Sequence, residues 1–124
     1  MNTVGFFEIQ SDKPERTAAF YREVFDWAIM KDESMPIEYW RIETNGIQGA
    51  ILPRPVAVSK MSGTNAFCCS VEVGNFDITS DKILSLGGAV ALEKMAVPGR
   101  CWQGYFLDPD GNVFGIFEVD GGAK

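Results

Sequence analysis

Two glycine-bearing turns, Asn45-Gly46 and Asp108-Pro109-Asp110-Gly111, sit at matching places in the two halves of this 124-residue chain. Each follows the same succession of apolar runs, and that duplication constrains the fold more than any other feature. A unit written twice must bury the same faces twice. In the first half, residues 4–10 form a short apolar run, and Asp12-Lys13-Pro14-Glu15-Arg16 opens a helix. Asp12 suits the N-cap, and Pro14 and Glu15 suit the first turn. Ala18, Tyr21 or Arg22, and Phe25 recur at helical spacing, with Phe20 and Val24 widening the stripe. Strands are expected at 27–31, 37–43 and 47–52, the last two joined by the Asn45-Gly46 hairpin. The second half repeats the order: a strand at 66–73, a helix at 77–86 stopped by Gly87-Gly88, and strands at 89–95, 101–107 and 112–119. A polar connection, Ser59-Lys60-Met61-Ser62-Gly63-Thr64, separates the halves. The reading is an α+β fold of two tandem βαβββ units, repeat 1 over about 3–58 and repeat 2 over about 64–120, in one domain spanning 1–124.

Composition narrows the partners. An apolar fraction of 46% with 23% charged residues supports a packed core, and a net charge of -6 disfavours nucleic acid and anionic membrane. No stretch approaches the roughly 20 apolar residues of a membrane helix. Met1-Asn2-Thr3-Val4 has neither the basic start nor the apolar run of a signal peptide. The three cysteines are Cys68, Cys69 and Cys101. Vicinal Cys68 and Cys69 on a strand point to opposite faces, and an odd count reads as reduced thiols in the cytoplasm. Histidine is absent, which removes the commonest neutral metal ligand and the commonest general base near neutral pH.

The run Phe6-Phe7-Glu8-Ile9, then Arg16, Phe20-Tyr21, Val24-Phe25 and Trp27, then Leu86-Gly87-Gly88 and Asp108-Pro109-Asp110-Gly111-Asn112, resembles the vicinal oxygen chelate superfamily. That group includes glyoxalase I, bleomycin-resistance proteins and extradiol dioxygenases, and the Phe-Glu-Ile start resembles its glyoxalase-like branch. The likeness spans essentially the whole chain. It implies a cupped eight-stranded mixed sheet with helices on the convex face, and a homodimer with the ligand site near or across the subunit interface. Metal-dependent members take ligands from the first and last strands of each unit, and the matching positions here are Phe6, Ala50, Cys68 and Gly115. Phenylalanine, alanine and glycine side chains cannot ligate, and one thiolate does not make a site for zinc, nickel or iron. No divalent metal or other cofactor is therefore expected. A substitute set of Glu8, Glu72, Glu118 and Cys68 would need Glu118 on the opposite parity from Gly115.

Strand alternation assigns the faces. Phe7 and Ile9 suit the helix side, which leaves Val4, Phe6, Glu8 and Gln10 toward the cavity. Cys69, Val71 and Val73 likewise leave Ala66, Cys68, Ser70 and Glu72 inside. Counting back from the two turn glycines pairs Ile42 with Leu107 under the helices. The same count lines the cup with Tyr39, Arg41, Trp102, Gly104 and Phe106, joined by Gln48, Ala50, Val113, Gly115 and Phe117.

Glu8 in such a place suits a general acid or base, while the plainer reading is an ion pair with Arg41 or a hydrogen bond to Gln10 or Ser70. Cys68 suits a nucleophile or simple packing, and no histidine is there to activate it. Tyr39, Trp102, Phe106 and Phe6 suit an aromatic clamp or a filled core. The expectation is a metal-independent glyoxalase/bleomycin-resistance-like protein holding a small organic ligand in an aromatic-lined cavity. Its contacts would be Phe6, Glu8, Tyr39, Arg41, Cys68, Ser70, Trp102 and Phe106. The alternatives are a metal-dependent lyase, isomerase or dioxygenase, a metal-free enzyme with Glu8 as general base, and a purely structural or partner-binding module.

Overall fold

The computed structural model of the protein describes residues 1–59, 67–109 and 112–124. The connection at 60–64, Ala66 and the turn residues Asp110 and Gly111 lie outside them. The elements are β1 (Thr3–Ser11), α1 (Pro14–Phe25), β2 (Ala28–Lys31), β3 (Trp40–Glu43), β4 (Gln48–Pro53), β5 (Cys68–Glu72), α2 (Phe76–Ser85), β6 (Ala89–Val97), β7 (Cys101–Leu107) and β8 (Val113–Val119). This is the expected βαβββ order twice over. The strands form one mixed eight-stranded sheet in the order β2-β3-β4-β1-β5-β8-β7-β6. No described helix is long and apolar enough to cross a membrane. The chain divides into two compact units, Phe6–Cys68 and Met1–Gly5 with Cys69–Lys124.

In the unit Phe6–Cys68, β1 runs parallel to β4, with Phe6 opposite Gln48 and Glu8 opposite Ala50, while β3 is antiparallel to both β4 and β2. Helix α1 begins on Pro14, whose missing N–H costs nothing in a first turn. The N-cap is Lys13 rather than the expected Asp12, and its side chain makes no cap. Because β1 runs on to Ser11, the Ser11 hydroxyl takes over the junction. It accepts the Lys13 N–H at 3.1 Å and meets Thr17 Oγ1 at 2.7 Å, while Asp12 sits 3.6 Å from Arg54. Asp26 ends the helix in the left-handed region, at φ 58. Ala18 is fully buried, which lets the helix lie close on the sheet over Ile9, Ile29, Ile42 and Ile51, with Phe7, Tyr21, Trp27 and Trp40 closing the margins. Each such isoleucine buried is worth about 1.5–3 kcal/mol.

The other unit is built alike: β5 parallel to β8, and β7 antiparallel to β8 and β6. Helix α2 is better capped than α1. Asn75 Oδ1 accepts the Ile78 N–H at 2.9 Å, and Glu118 Oε1 accepts the Phe76 N–H at 2.7 Å. Gly87 at φ +97 then turns the chain out of the helix, a conformation that favours glycine. The core here is Val73, Phe76, Phe106 and Ile116, with Val71, Ile83, Trp102 and Phe114 packed against it.

That core corrects one face assignment. Trp102, Gly104 and Phe106 lie on the α2 side of the sheet, not on the opposite face where the count from the turn glycines puts them. The two hairpins differ by one residue. Gly49 pairs with Ile42 across an even number of intervening residues, but Val113 pairs with Leu107 across an odd number. A one-residue difference turns every side chain of the returning strand to the other face. Phe114, the counterpart of Gly49, therefore pairs with Phe106. Asp108 holds this odd turn, its carboxylate accepting the Asn112 N–H at 2.9 Å and its own N–H reaching the Asn112 carbonyl at 2.9 Å. A Cβ on Gly104 would stand 2.6 Å from the Phe76 ring. Gly104→Ala is expected to lower unfolding stability by about 1–3 kcal/mol in urea titration; an unchanged midpoint would place residue 104 away from α2.

Candidate functional site

The sheet face opposite the helix carries the polar residues in each unit. In Phe6–Cys68, Glu8 and Tyr39 are each 6% exposed, and the Tyr39 hydroxyl donates to Glu8 Oε2 at 3.0 Å. The two side chains meet over Ala50, which pairs with Glu8 on one side and Arg41 on the other and has no exposed surface. Arg41 is held from the other direction. Its Nε donates to Asp32 at 2.6 Å, and its guanidinium lies 5.2 Å from the Tyr39 ring centre. The plain expectation of a Glu8–Arg41 ion pair gives way to this Asp32 pairing, because the β2–β3 connection brings Asp32 back beside β3: its N–H donates to the Tyr39 carbonyl at 2.8 Å. The Ser34 hydroxyl, the Arg41 guanidinium and the Ser34 N–H together hold the Asp32 carboxyl down to about 2, from 3.8.

The second unit repeats the arrangement with different chemistry. Gln103 Nε2 donates to Ser70 Oγ at 3.2 Å and to the Gly104 carbonyl at 3.3 Å. Ser70 pairs with Gly115 as Glu8 pairs with Ala50, and Tyr105 pairs with Gly115 as Arg41 pairs with Ala50. Gln103 is thus the counterpart of Tyr39, and Ser70 of Glu8. In both units a polar side chain, Tyr39 immediately before β3 or Gln103 within β7, reaches over a small residue of the fourth strand to a polar side chain of the first. The small residue is obligatory in the second unit. A Cβ on Gly115 would fall on Ser70 Oγ and stand 2.7 Å from Gln103 Nε2 and 3.1 Å from the Tyr105 ring.

Among the expected site residues, Glu8, Tyr39 and Arg41 come together, with half-buried Phe6 on the same face of β1. Ser70 meets Gln103, and half-buried Cys68 lies two residues before it on β5. Trp102 and Phe106 belong elsewhere. Phe106 is sealed among Phe76 and Phe114, and the Trp102 indole donates to Asp120 at 2.9 Å with the Lys94 ammonium 4.9 Å over its ring. The Gly122 N–H, then the Trp102 indole, lower the Asp120 carboxyl below its usual range. Gln103 and Tyr105 take the places that sequence reasoning gave to Trp102, Gly104 and Phe106. The signal that would have found them is the odd length of the second hairpin.

The metal that the resemblance brings to mind does not fit these residues. Phe6, Ala50 and Gly115 offer no donor atoms, and the space beside Gly115 is taken by Ser70, Gln103 and Tyr105. Glu118, the remaining acid of the substitute set on β8, is spent on the first N–H of α2. Among the described residues no three His, Cys, Asp or Glu side chains converge as a metal site would require.

Residues 7–117 match the family described as a glyoxalase-like domain. The chain belongs to that family. Solved structures of the glyoxalase/bleomycin-resistance/dioxygenase superfamily share its fold. Methylmalonyl-CoA epimerase from Streptomyces coelicolor superposes with a TM-score of 0.70 at 12% identity, covering 99% of this chain and 98% of that one. A superfamily member from Vibrio splendidus 12B01 gives 0.66 at 12%, covering 91% and 96%. Hypothetical protein BH1468 from Bacillus halodurans C-125 gives 0.68 at 12%, covering 98% and 97%. No curated protein matches in sequence. At these identities the likeness is one of fold, and activity has to be argued from the site.

The Asp32 pairing has a pH signature. A carboxyl lowered to about 2 contributes stability above 3.8, and that contribution is lost as pH falls from about 4 through 2. The stability gap between the wild type and Asp32→Asn should therefore narrow across that window in chemical denaturation. A gap that stays constant from pH 5 to 2 would remove Asp32 as the anchor of Arg41.

Proposed function

We propose that this glyoxalase-like protein binds a small organic molecule without a metal, on the sheet face that carries Glu8 and Tyr39. The observation that carries the reading is the buried carboxylate of Glu8 joined to the Tyr39 hydroxyl beside fully buried Ala50, at a place where metal-dependent relatives need a donor. A carboxylate held out of water and already oriented by a phenol is a strong anchor for a ligand N–H or O–H. Arg41, fixed over the Tyr39 ring by Asp32, supplies the opposite charge from β3. The aromatic contribution narrows to Phe6 and Tyr39 in this unit, since Trp102 and Phe106 serve the α2 core. An acidic chain of net charge -6 favours an amine-bearing or neutral ligand over a phosphorylated one. Homodimerisation in the cytoplasm belongs to the same reading, because β2 and β6 end the strand order and leave backbone edges to be managed.

The alternative of a metal-free enzyme rests on the same carboxylate. Glu8 would then take a proton from bound substrate. One variant separates the two. In a thermal-shift and calorimetric screen of amine-bearing and aromatic compounds, with bleomycin included, Glu8→Gln should weaken binding by roughly tenfold or more if the carboxylate anchors the ligand. Loss of turnover with affinity nearly unchanged would instead make Glu8 the base. Elemental analysis of protein purified without chelator should find far less than one nickel, zinc or iron per chain. Stoichiometric metal would overturn the proposal.

A further inference from the structure

Gln103 is buried to 9% exposure in the middle of β7, and both bonds that hold it are made by its nitrogen. The Gly104 carbonyl can only accept, so Nε2 must face it, and this fixes which way the amide is turned. Oε1 is thereby aimed away from Ser70 and Gly104. No donor among the described residues reaches that oxygen. Nor is it sealed: among the described residues, Arg54 Nε alone is a fully enclosed side-chain polar atom without a hydrogen-bond partner, so Gln103 Oε1 keeps accessible surface. A buried amide whose donors are spent and whose acceptor is open differs from a structural glutamine, which uses both ends. Its neighbours on the face are Tyr105 on the same strand, Gly115 opposite Tyr105, and Phe117 opposite Gln103, with Glu72 paired to Phe117 from β5.

We propose that Gln103 is a ligand-recognition residue, its Oε1 accepting a hydrogen bond from a hydroxyl or N–H carried on an aromatic frame that lies along Tyr105 and Phe117. Ser70 and the Gly104 carbonyl are the positioning groups: they hold the amide so that the acceptor needs no reorganisation when the donor arrives. Gly115 is required because any side chain there would push Gln103 off Ser70. This rests on the small-molecule reading above and gives the unit that carries Ser70 a polar contact of its own, of acceptor character. Discrimination follows from the geometry. A ligand that lacks the donor leaves Oε1 dehydrated and unpaired, so an O-methylated analogue is rejected.

The test uses 15N-labelled wild-type protein titrated with phenol and 2-naphthol, and in parallel with their methyl ethers, anisole and 2-methoxynaphthalene. The Gln103 side-chain amide pair is assigned as the signal missing from Gln103→Leu, or from Gln103→Glu should the leucine variant not fold. The phenols are expected to move that pair saturably and the ethers to leave it in place. Binding of the phenols should weaken about threefold to tenfold in Gln103→Leu, the size of one neutral hydrogen bond. Equal shifts from phenols and ethers would overturn the role of Gln103. If the phenols instead perturb Phe6, Glu8 and Tyr39 and leave the Gln103 pair untouched, the small-molecule reading survives and this inference falls. If none of the four moves any resonance on either residue set, this inference falls and the small-molecule reading is left to the compound screen above.

Discussion

The constraint on which the site depends is steric. The fourth strand of each unit must present almost nothing at its centre, so that side chains from the strands on either side can meet above it. Ala50 and Gly115 are those places, and Glu8–Tyr39 and Ser70–Gln103 are the pairs that meet. A polar pair buried on a sheet is costly unless each member satisfies the other, and the small residue is what brings the two within hydrogen-bond distance. The same positions carry the last-strand ligand in metal-dependent members of the superfamily. Ala50 and Gly115 carry no donor atoms, and at Gly115 the space is filled by Ser70, Gln103 and Tyr105.

The two pairs differ in chemistry in a way that the repeat leaves free. Glu8 brings a charge and takes a phenolic hydrogen bond, whereas Ser70 is neutral and takes an amide one. Around the first pair, Asp32 and Arg41 form a supporting layer in which Ser34 fixes the acid and the acid fixes the guanidinium over Tyr39. The second pair is held differently. Its support is backbone, through the Gly104 carbonyl. Helix α2 is correspondingly better anchored than α1, with Glu118 and Asn75 both satisfying its first N–H groups. That leaves Glu118 on the helix side of β8, as its parity relative to Gly115 requires.

Much of the fold was legible because it rests on local rules. Alternation in β1 separates Phe7 and Ile9 from Glu8, Pro14 marks the start of α1, and Gly87 marks the exit from α2. The grouping of the candidate site in the first unit was legible for the same reason: the shared face of Glu8, Tyr39 and Arg41 follows from alternation carried across the tight Asn45-Gly46 hairpin. Smaller features escaped. The Ser11 junction displaced the Asp12 cap, and Asp32 displaced Glu8 as the expected partner of Arg41, because each depends on where a neighbouring strand stops.

By itself the sequence determined the duplicated βαβββ order, the helix-facing set of the first unit, and the missing metal donors at Phe6, Ala50 and Gly115. These follow from residue identity and from periodicities of 2 and 3.6, which act within single elements. Only the tertiary structure decided which residues of β7 stand beside Ser70. That choice hangs on hairpin register, where one residue more or less exchanges Trp102, Gly104 and Phe106 for Gln103 and Tyr105. Register is set by the packing of Phe106 and Ile116 beneath α2 and by the Asp108–Asn112 bonds that close the turn, contacts between segments that no local pattern encodes.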